Sequence, residues 1–430
     1  MKNFIIYICI FSLALMGGCA KDENGNNNKE DLLKNVEGEW NIVQRNYSFY
    51  VNGVLMGETY EDVSPVEINL ILDFNADGNL YYRIPNSTDV IGAWTIDAND
   101  SLFMVMTEDF EMGDDIIPDI NIIELTETSF HLTLTFEYTN GDQASKEVTE
   151  YILNKEFSDF QIVENVWEKL ELSESVYGGR LWAAASGSKI YAGNASNSGQ
   201  YDQWFVSCDT ESGEVQSLTT NGEIIAGGYG SHLLEYGGEL YYFANDGVKY
   251  TPTSDSWSLL NYPYEIKRGE APCAVLDGRI YYLGGRTETL TGQYYDIASD
   301  SWDTLSNDMD YFVHHNYATA CGFDHKLYVF GGNDDGEKQV SVYDTGTGIW
   351  TRMDDAPYET GTFSTVYNNR IYITGIYGMY TYDPATDTWG EGYAWPQSDY
   401  YRKIILTVGS NLYLVTYSYY NSLEIYKFNY

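Results

Sequence analysis

Five polar residues recur at a near-constant offset from a tyrosine. Arg180, Arg268, His315, Glu359 and Arg402 stand 11 to 13 residues before Tyr191, Tyr281, Tyr328, Tyr372 and Tyr413. Equivalent positions of a repeated unit come together when the units close around an axis, so the spacing predicts that these residues converge. Three arginines in one place would hold a carboxylate or a sulfate through paired hydrogen bonds. The chain carries 23 Lys plus Arg against 64 Asp plus Glu, a formal net charge of −41, so such a positive focus would stand on an acidic background. Tyr264, Tyr311, Tyr358 and Tyr401, with Trp395 and Tyr417, fall in neighbouring segments and offer flat faces for sugar rings or protein side chains. A plainer reading stands beside this one, in which the arginines pair with loop acids and the tyrosines pack between units.

Signatures of other chemistry are sparse. The sequence has no Gly-x-Ser-x-Gly elbow, no His-Glu-x-x-His and no phosphate loop. Five histidines include one adjacent pair, His314 and His315, whose side chains point apart on an extended chain and so do not make a copper site. No metal and no cofactor is expected. "DFNADGN" places Asp73, Asn75, Asp77 and Gly78 as in a calcium loop, but Ile84 stands where the bidentate Glu is required and strand-like alternation flanks both sides. A β-hairpin turn is the expectation there. The net charge repels phosphate backbones, which excludes nucleic acid as a partner. Cys208, Cys273 and Cys321 sit in apolar strand-like stretches without metal spacing and read as core.

The elements that must position these residues are strands in a repeat. A tight turn followed by an apolar-Tyr strand occurs as "GSKIYAG", "GGELYYF", "DGRIYYLGG", "DHKLYVFGG", "NNRIYITG" and "GSNLYLV", with tyrosines 50, 40, 47, 44 and 41 residues apart. Downstream come "YTPTSDSW", "YDIASDSW", "YDTGTGIW" and "YDPATDTW". Asp296, Asp344 and Asp383 each precede a Trp by six residues, and such an Asp accepts backbone N–H bonds within its turn. The Trp opens an outer strand and fills the wedge between diverging blades. A period in the forties with four strands per unit predicts propeller blades. "DGRIYYLGG" with "YYDIASDSW", and "DHKLYVFGG" with "VYDTGTGIW", closely resemble kelch repeats, and the resemblance implies an all-β, six-bladed propeller over residues 159–430. The sixth unit ends without a Trp strand, whereas an orphan "VWEKLEL" precedes the first, so Trp167 is expected beside the last blade.

The amino-terminal part reads differently. Lys2 and the apolar run "FIIYICIFSLALM" before "GGC" resemble a bacterial lipoprotein signal, which implies cleavage after residue 18 and lipid on Cys19. Lys21, Asp22 and Glu23 resemble an acidic export tag that sends lipoproteins to the cell surface, so the expected place is the outer membrane, held by lipid alone. Residues 19–35 read as a polar tether. Residues 36–155 alternate as short strands separated by turn signals, a small antiparallel barrel or sandwich of about eight strands. Gly38-x-Trp40, "FNADG", Gly92-x-Trp94 and "ELTETSFHLTL" resemble lipocalin-like domains, which implies Trp40 plugging one end of a barrel.

Three function classes fit this organisation. A surface-anchored propeller binding a glycan or a protein comes first. A sugar-active enzyme is the second, since the N-acetylneuraminate epimerases resemble this chain in being exported, six-bladed and kelch-type, although no motif matches residue by residue. An envelope structural or assembly part is the third. Oligomeric state is not legible in the sequence.

Overall fold

A computed structural model of the chain describes residues 36–62, 71–84, 87–96, 102–106, 119–126, 128–140, 143–155, 162–164, 166–177, 181–194, 203–220, 232–243, 247–261, 271–284, 292–305, 318–332, 338–357, 359–375, 378–396, 402–417 and 422–430. These residues form strands and turns in two compact units, Met1–Asp159 and Phe160–Tyr430. No helix among the described residues is long and apolar enough to cross a membrane.

The first unit is one nine-stranded antiparallel sheet that curls into a half-barrel. Its strands are β1 (Gly38–Val51), β2 (Val54–Asp62), β3 (Ile71–Phe74), β4 (Asn79–Ile84), β5 (Ser87–Ile96), β6 (Leu102–Met106), β7 (Asp119–Leu125), β8 (Ser129–Asn140) and β9 (Gln143–Asn154). The order is β6-β5-β4-β3-β1-β9-β8-β7, with β2 also paired to β1, and β6 and β7 are the two ends. Alternation places Phe74, Phe130, Leu132, Leu153 and Trp40 on one buried face. Trp40 is fully buried, donates through Nε1 to the Val36 carbonyl at 2.8 Å, and meets Phe130 edge-on at 5.3 Å. The "DFNADGN" segment is a hairpin turn between β3 and β4: the Asn79 amide donates to Asp77 at 2.8 Å and Gly78 takes φ 84°. Asp73 is buried against the guanidinium of Arg83.

The second unit is a ring of six four-stranded antiparallel blades, whose inner strands are Leu181–Ser186, His232–Tyr236, Cys273–Leu276, Thr319–Phe323, Thr360–Tyr367 and Lys403–Val408. Each inner strand neighbours the next, and the first neighbours the last. Turn chemistry makes the inner hairpins local. Gly237-Gly238, Asp277-Gly278, Asp324-His325 and Asn368-Asn369 all take positive φ at both residues, the conformation a two-residue hairpin needs to match strand twist.

The repeated phrase is structural throughout. Asp296, Asp344 and Asp383 accept amide bonds within their own turns, from Ser299 at 3.1 Å, Thr347 at 2.8 Å and Ala385 at 3.0 Å. A second acid also recurs: the hydroxyls of Tyr250, Tyr295 and Tyr382 donate to Asp255, Asp300 and Asp387, five residues on, at 2.7, 2.7 and 2.6 Å. Those three Asp residues have φ of 46°, 49° and 55°, and blade four puts Gly348 there instead. Asp255 additionally accepts the Thr219 amide at 2.9 Å, and Trp257 Nε1 donates to the Thr219 carbonyl at 2.8 Å, stitching blade two to blade one. Trp302 does the same to Asn261 at 2.7 Å and packs against Phe243 of the preceding blade at 5.6 Å. Cys208, Cys273 and Cys321 are buried free thiols within these sheets.

The ring closes with its own beginning. Trp167–Lys169 pairs antiparallel with Leu423–Phe428 and supplies the outermost strand of blade six, where the orphan Trp placed it. Ile162–Val163 adds a parallel fifth strand to blade five.

Candidate functional site

Arg402 directly precedes Lys403–Val408, and Glu359 directly precedes Thr360–Tyr367, as their spacing predicts. Both are half-buried. Arg180, Arg268, His315, Tyr264, Tyr311, Tyr358, Tyr401 and Cys19 lie outside the described residues. Two expected stacking platforms are built otherwise. Trp395 is 1% exposed, bonds the Gly375 carbonyl at 3.1 Å and stacks on Trp167 at 6.0 Å, so it belongs to the packing between blades. Tyr417 is buried at the end of its strand and presents no open face.

Around Arg402 the structure assembles residues that the offset rule missed. Its guanidinium lies over the ring of Phe363 at 5.2 Å, a cation–π contact between blades six and five. Phe363 also meets the imidazole of His232 at 5.8 Å. His232 begins the inner strand of blade two, and Phe363 lies in that of blade five. Three blades apart in a ring of six means opposite sides of the axis, so the two rings meet across it. Both stand nine residues before their blade's tyrosine, Tyr241 and Tyr372, two to four positions nearer to it than the 11 to 13 residues read from the sequence.

The strand that carries Phe363 is bulged. Register shifts between Thr360, opposite Gly375, and Ser364, opposite Ile373. The Thr374 hydroxyl clamps the bulge, accepting the Phe363 amide at 3.1 Å and donating to its carbonyl at 3.0 Å. A Cβ on Gly361 would come within 2.7 Å of that same hydroxyl oxygen and 2.9 Å of the Thr374 carbonyl, so only glycine fits.

Beside Arg402 the imidazole of His232 is held neutral. Burial, and then the charge of Arg402, push the His232 imidazole down from 6.5 to about 4, so at neutral pH it is an uncharged donor or acceptor beside a fixed cation. The stability that depends on a neutral His232 is complete above pH 6.5 and is lost as the pH falls toward about 4. A variant with His232→Phe keeps the ring contact and lacks this loss. Thermal melts from pH 7 to pH 4.5 are therefore expected to converge on the variant from above or cross below it, and an unchanged gap between the two proteins contradicts the assignment. Among the described residues no group of His, Cys, Asp and Glu is placed to hold a metal ion.

Comparison with known proteins fits the repeat. The family model for the kelch motif matches residues 314–357. The second unit is a six-bladed β-propeller that carries a kelch motif. The chain is 31% identical to human Kelch-like protein 30 over 114 residues, 25% of this chain and 19% of that protein. It is 27% identical over 182 residues to the F-box/kelch-repeat protein At1g22040 of Arabidopsis thaliana, covering 33% of this chain and 38% of the relative. The chain thus spans less than two fifths of the length of either relative. The solved structure of YjhT aligns over 59% of this chain and 95% of its own, at 13% identity and a TM-score of 0.48. Kelch propellers generally serve as protein-binding modules.

Proposed function

We propose that this chain is a lipid-anchored binding module of the bacterial cell surface, whose propeller mouth holds the acidic group of a glycan. The observation that carries the reading is Arg402 poised over Phe363 and beside an uncharged His232 on the ring axis. A guanidinium supplies paired donors to a carboxylate or a sulfate, and a ring under it restricts its rotamers before the ligand arrives. Arg180 and Arg268, at matching offsets, would complete the cationic focus. A ligand held there by one charged group suits a terminal or branching acidic sugar. The half-barrel before the propeller would serve as a lipocalin-like spacer between tether and ring.

The test of the ligand is an array of acidic and neutral glycans probed with the soluble chain from residue 20 onward. Enrichment of uronic, sialic or sulfated structures supports the reading, and binding confined to neutral glycans overturns it. For the anchor, Cys19→Ala is expected to move the protein from the membrane fraction to unprocessed or soluble forms and to abolish lipid labelling. Unchanged fractionation removes the lipid anchor. Protease added to intact cells is expected to cleave the protein without lysis, and protection until lysis would place it inside the envelope.

A further inference from the structure

In the first unit, β2 (Val54–Asp62) pairs with β1 and has no second partner strand among the described residues. Native sheets shield such edges with lysine, proline or inward charges, because unpaired N–H and C=O groups recruit another chain. Val54, Leu55, Met56 and Gly57 carry none of these. Val54, Leu55 and Met56 are 62%, 47% and 63% exposed, the only three large apolar residues exposed in succession among the described residues.

The edge is held in place at its tip. Asn52 and Gly53 take φ of 50° and 78°, the two-residue turn that matches strand twist. The Asn52 amide donates to the Ala144 carbonyl at 2.8 Å, and the Asn52 side-chain oxygen accepts the Ala144 amide at 3.0 Å, which ties the tip to the hairpin of β8 and β9. Val51 and Val54 close the turn as a hydrogen-bonded pair. At the next pair, Tyr50 and Leu55, the N–H and C=O of Leu55 therefore point away from β1, toward the open edge.

Cross-strand pairing sets Leu55 in a row with Tyr50, Lys146 and Glu137 on one face of the sheet. Tyr50, Lys146 and Glu137 line a cavity of about 800 Å³ beside the tip. A strand added at the edge lengthens this row by one side chain next to Leu55. In such additions the main-chain bonds supply affinity, and alternate side chains supply specificity.

Charge selects the occupant. After Gly57 the strand carries Glu58, Glu61 and Asp62 and no cation. A second copy would bring these acids together in two chains of net charge −41 each. An extended segment running antiparallel to β2, with Lys or Arg opposite the acids and apolar residues opposite Val54 to Met56, complements both halves.

We infer that the β2 edge takes up an extended segment of another protein, basic at one end and apolar at the other, as an added strand. The inference concerns the first unit alone and is independent of the ligand proposed for the propeller.

The test uses the soluble chain from residue 20 onward and two fluorescent nonapeptides built of threonine and valine. One carries lysine opposite Glu58, Glu61 and Asp62, and the other carries glutamate at the same places. Fluorescence anisotropy is expected to show the lysine peptide bound at least about tenfold more tightly than the glutamate peptide. Leu55→Pro removes the outward N–H without removing a bond to β1, and is expected to weaken the lysine peptide about tenfold. Glu58→Lys, a change at an exposed side chain, is expected to narrow the preference between the peptides about threefold, and gives a second reading if the proline variant melts early. Equal binding of the two peptides by the wild type, binding untouched by either substitution, or binding of neither peptide overturns the inference. Self-association in the ultracentrifuge, or pelleting with phosphatidylethanolamine vesicles, that Leu55→Pro abolishes would also overturn it, since a second copy or a lipid surface would then cover the edge.

Discussion

Deleting residues 163–172 is expected to leave a chain that no longer melts cooperatively as a propeller at physiological temperature. The segment is short, but its removal strips four kinds of interaction at once. Trp167 stacks on Trp395 at 6.0 Å, packs on Phe428 at 5.2 Å and donates to the Ala394 carbonyl at 2.8 Å. Losing a fully buried large aromatic costs about 3 to 5 kcal/mol, and Trp167, half-buried, contributes part of that. Lys169 pairs with Glu424 at 2.6 Å, and Glu424 is only 7% exposed, so deletion leaves a shielded carboxylate without its cation. Breaking one partner of a buried pair costs roughly 3 to 5 kcal/mol, and the partial exposure of Lys169 puts this pair at or below the lower end. The strand Leu423–Phe428 also becomes an open edge, free to pair with another chain. Domains are stable by about 5 to 15 kcal/mol, so these losses together consume most of the margin. Circular dichroism during heating reads the outcome. A truncated protein that melts like its parent would contradict ring closure by the amino-terminal strand.

Arg402→Ala is the second large effect, and it acts on binding with little effect on folding. The side chain is half-buried, and its guanidinium lies over the ring of Phe363 at 5.2 Å. A cation–π contact of this partly exposed kind is worth about 0.5 to 1 kcal/mol, so the melting temperature should fall by no more than about 3 °C. Binding of an acidic sugar should weaken about a hundredfold, since a paired charge-assisted contact of about 3 kcal/mol is lost. Arg402→Lys keeps the charge but not the fork, and should recover only part of the affinity. Replacing Arg180 and Arg268 as well should leave no measurable binding.

The parts of this architecture legible in the sequence are those built by local chemistry repeated six times. A hairpin turn such as Asp277-Gly278, or an Asp that caps its own turn such as Asp383, is determined by residues a few positions apart, so each copy announces itself. The closing strand was legible for the opposite reason, because Trp167 was a surplus part where blade six lacked one. The Tyr-to-Asp bond, as in Tyr295 to Asp300, recurs in the same phrases and was open to the same reading. What escaped depends on the ring as a whole. His232 and Phe363 are 131 residues apart and meet only because six blades close. The offset of nine residues they share was available as a signal, but a window fixed on arginines passed over it. Trp395 and Tyr417 show the matching error. Nearness to a loop predicts a platform at both, whereas position in the ladder buries them. In the first unit the strands were readable, but whether a sheet closes or stops at a half-barrel depends on pairing between its ends, β6 and β7, which alternation does not encode.

The central claim is that the ring axis holds an acidic sugar through Arg402, and calorimetric titration at pH 7 tests it most directly. The titrants are uronic and sialic acids and, in parallel, their methyl esters, which keep the sugar and remove the charge. Wild-type protein is expected to bind at least one acid, to bind its ester at least tenfold more weakly, and to lose the acid about a hundredfold in Arg402→Ala. Equal binding of acid and ester, undiminished binding in the variant, or no binding of any acid by the wild type would contradict the claim.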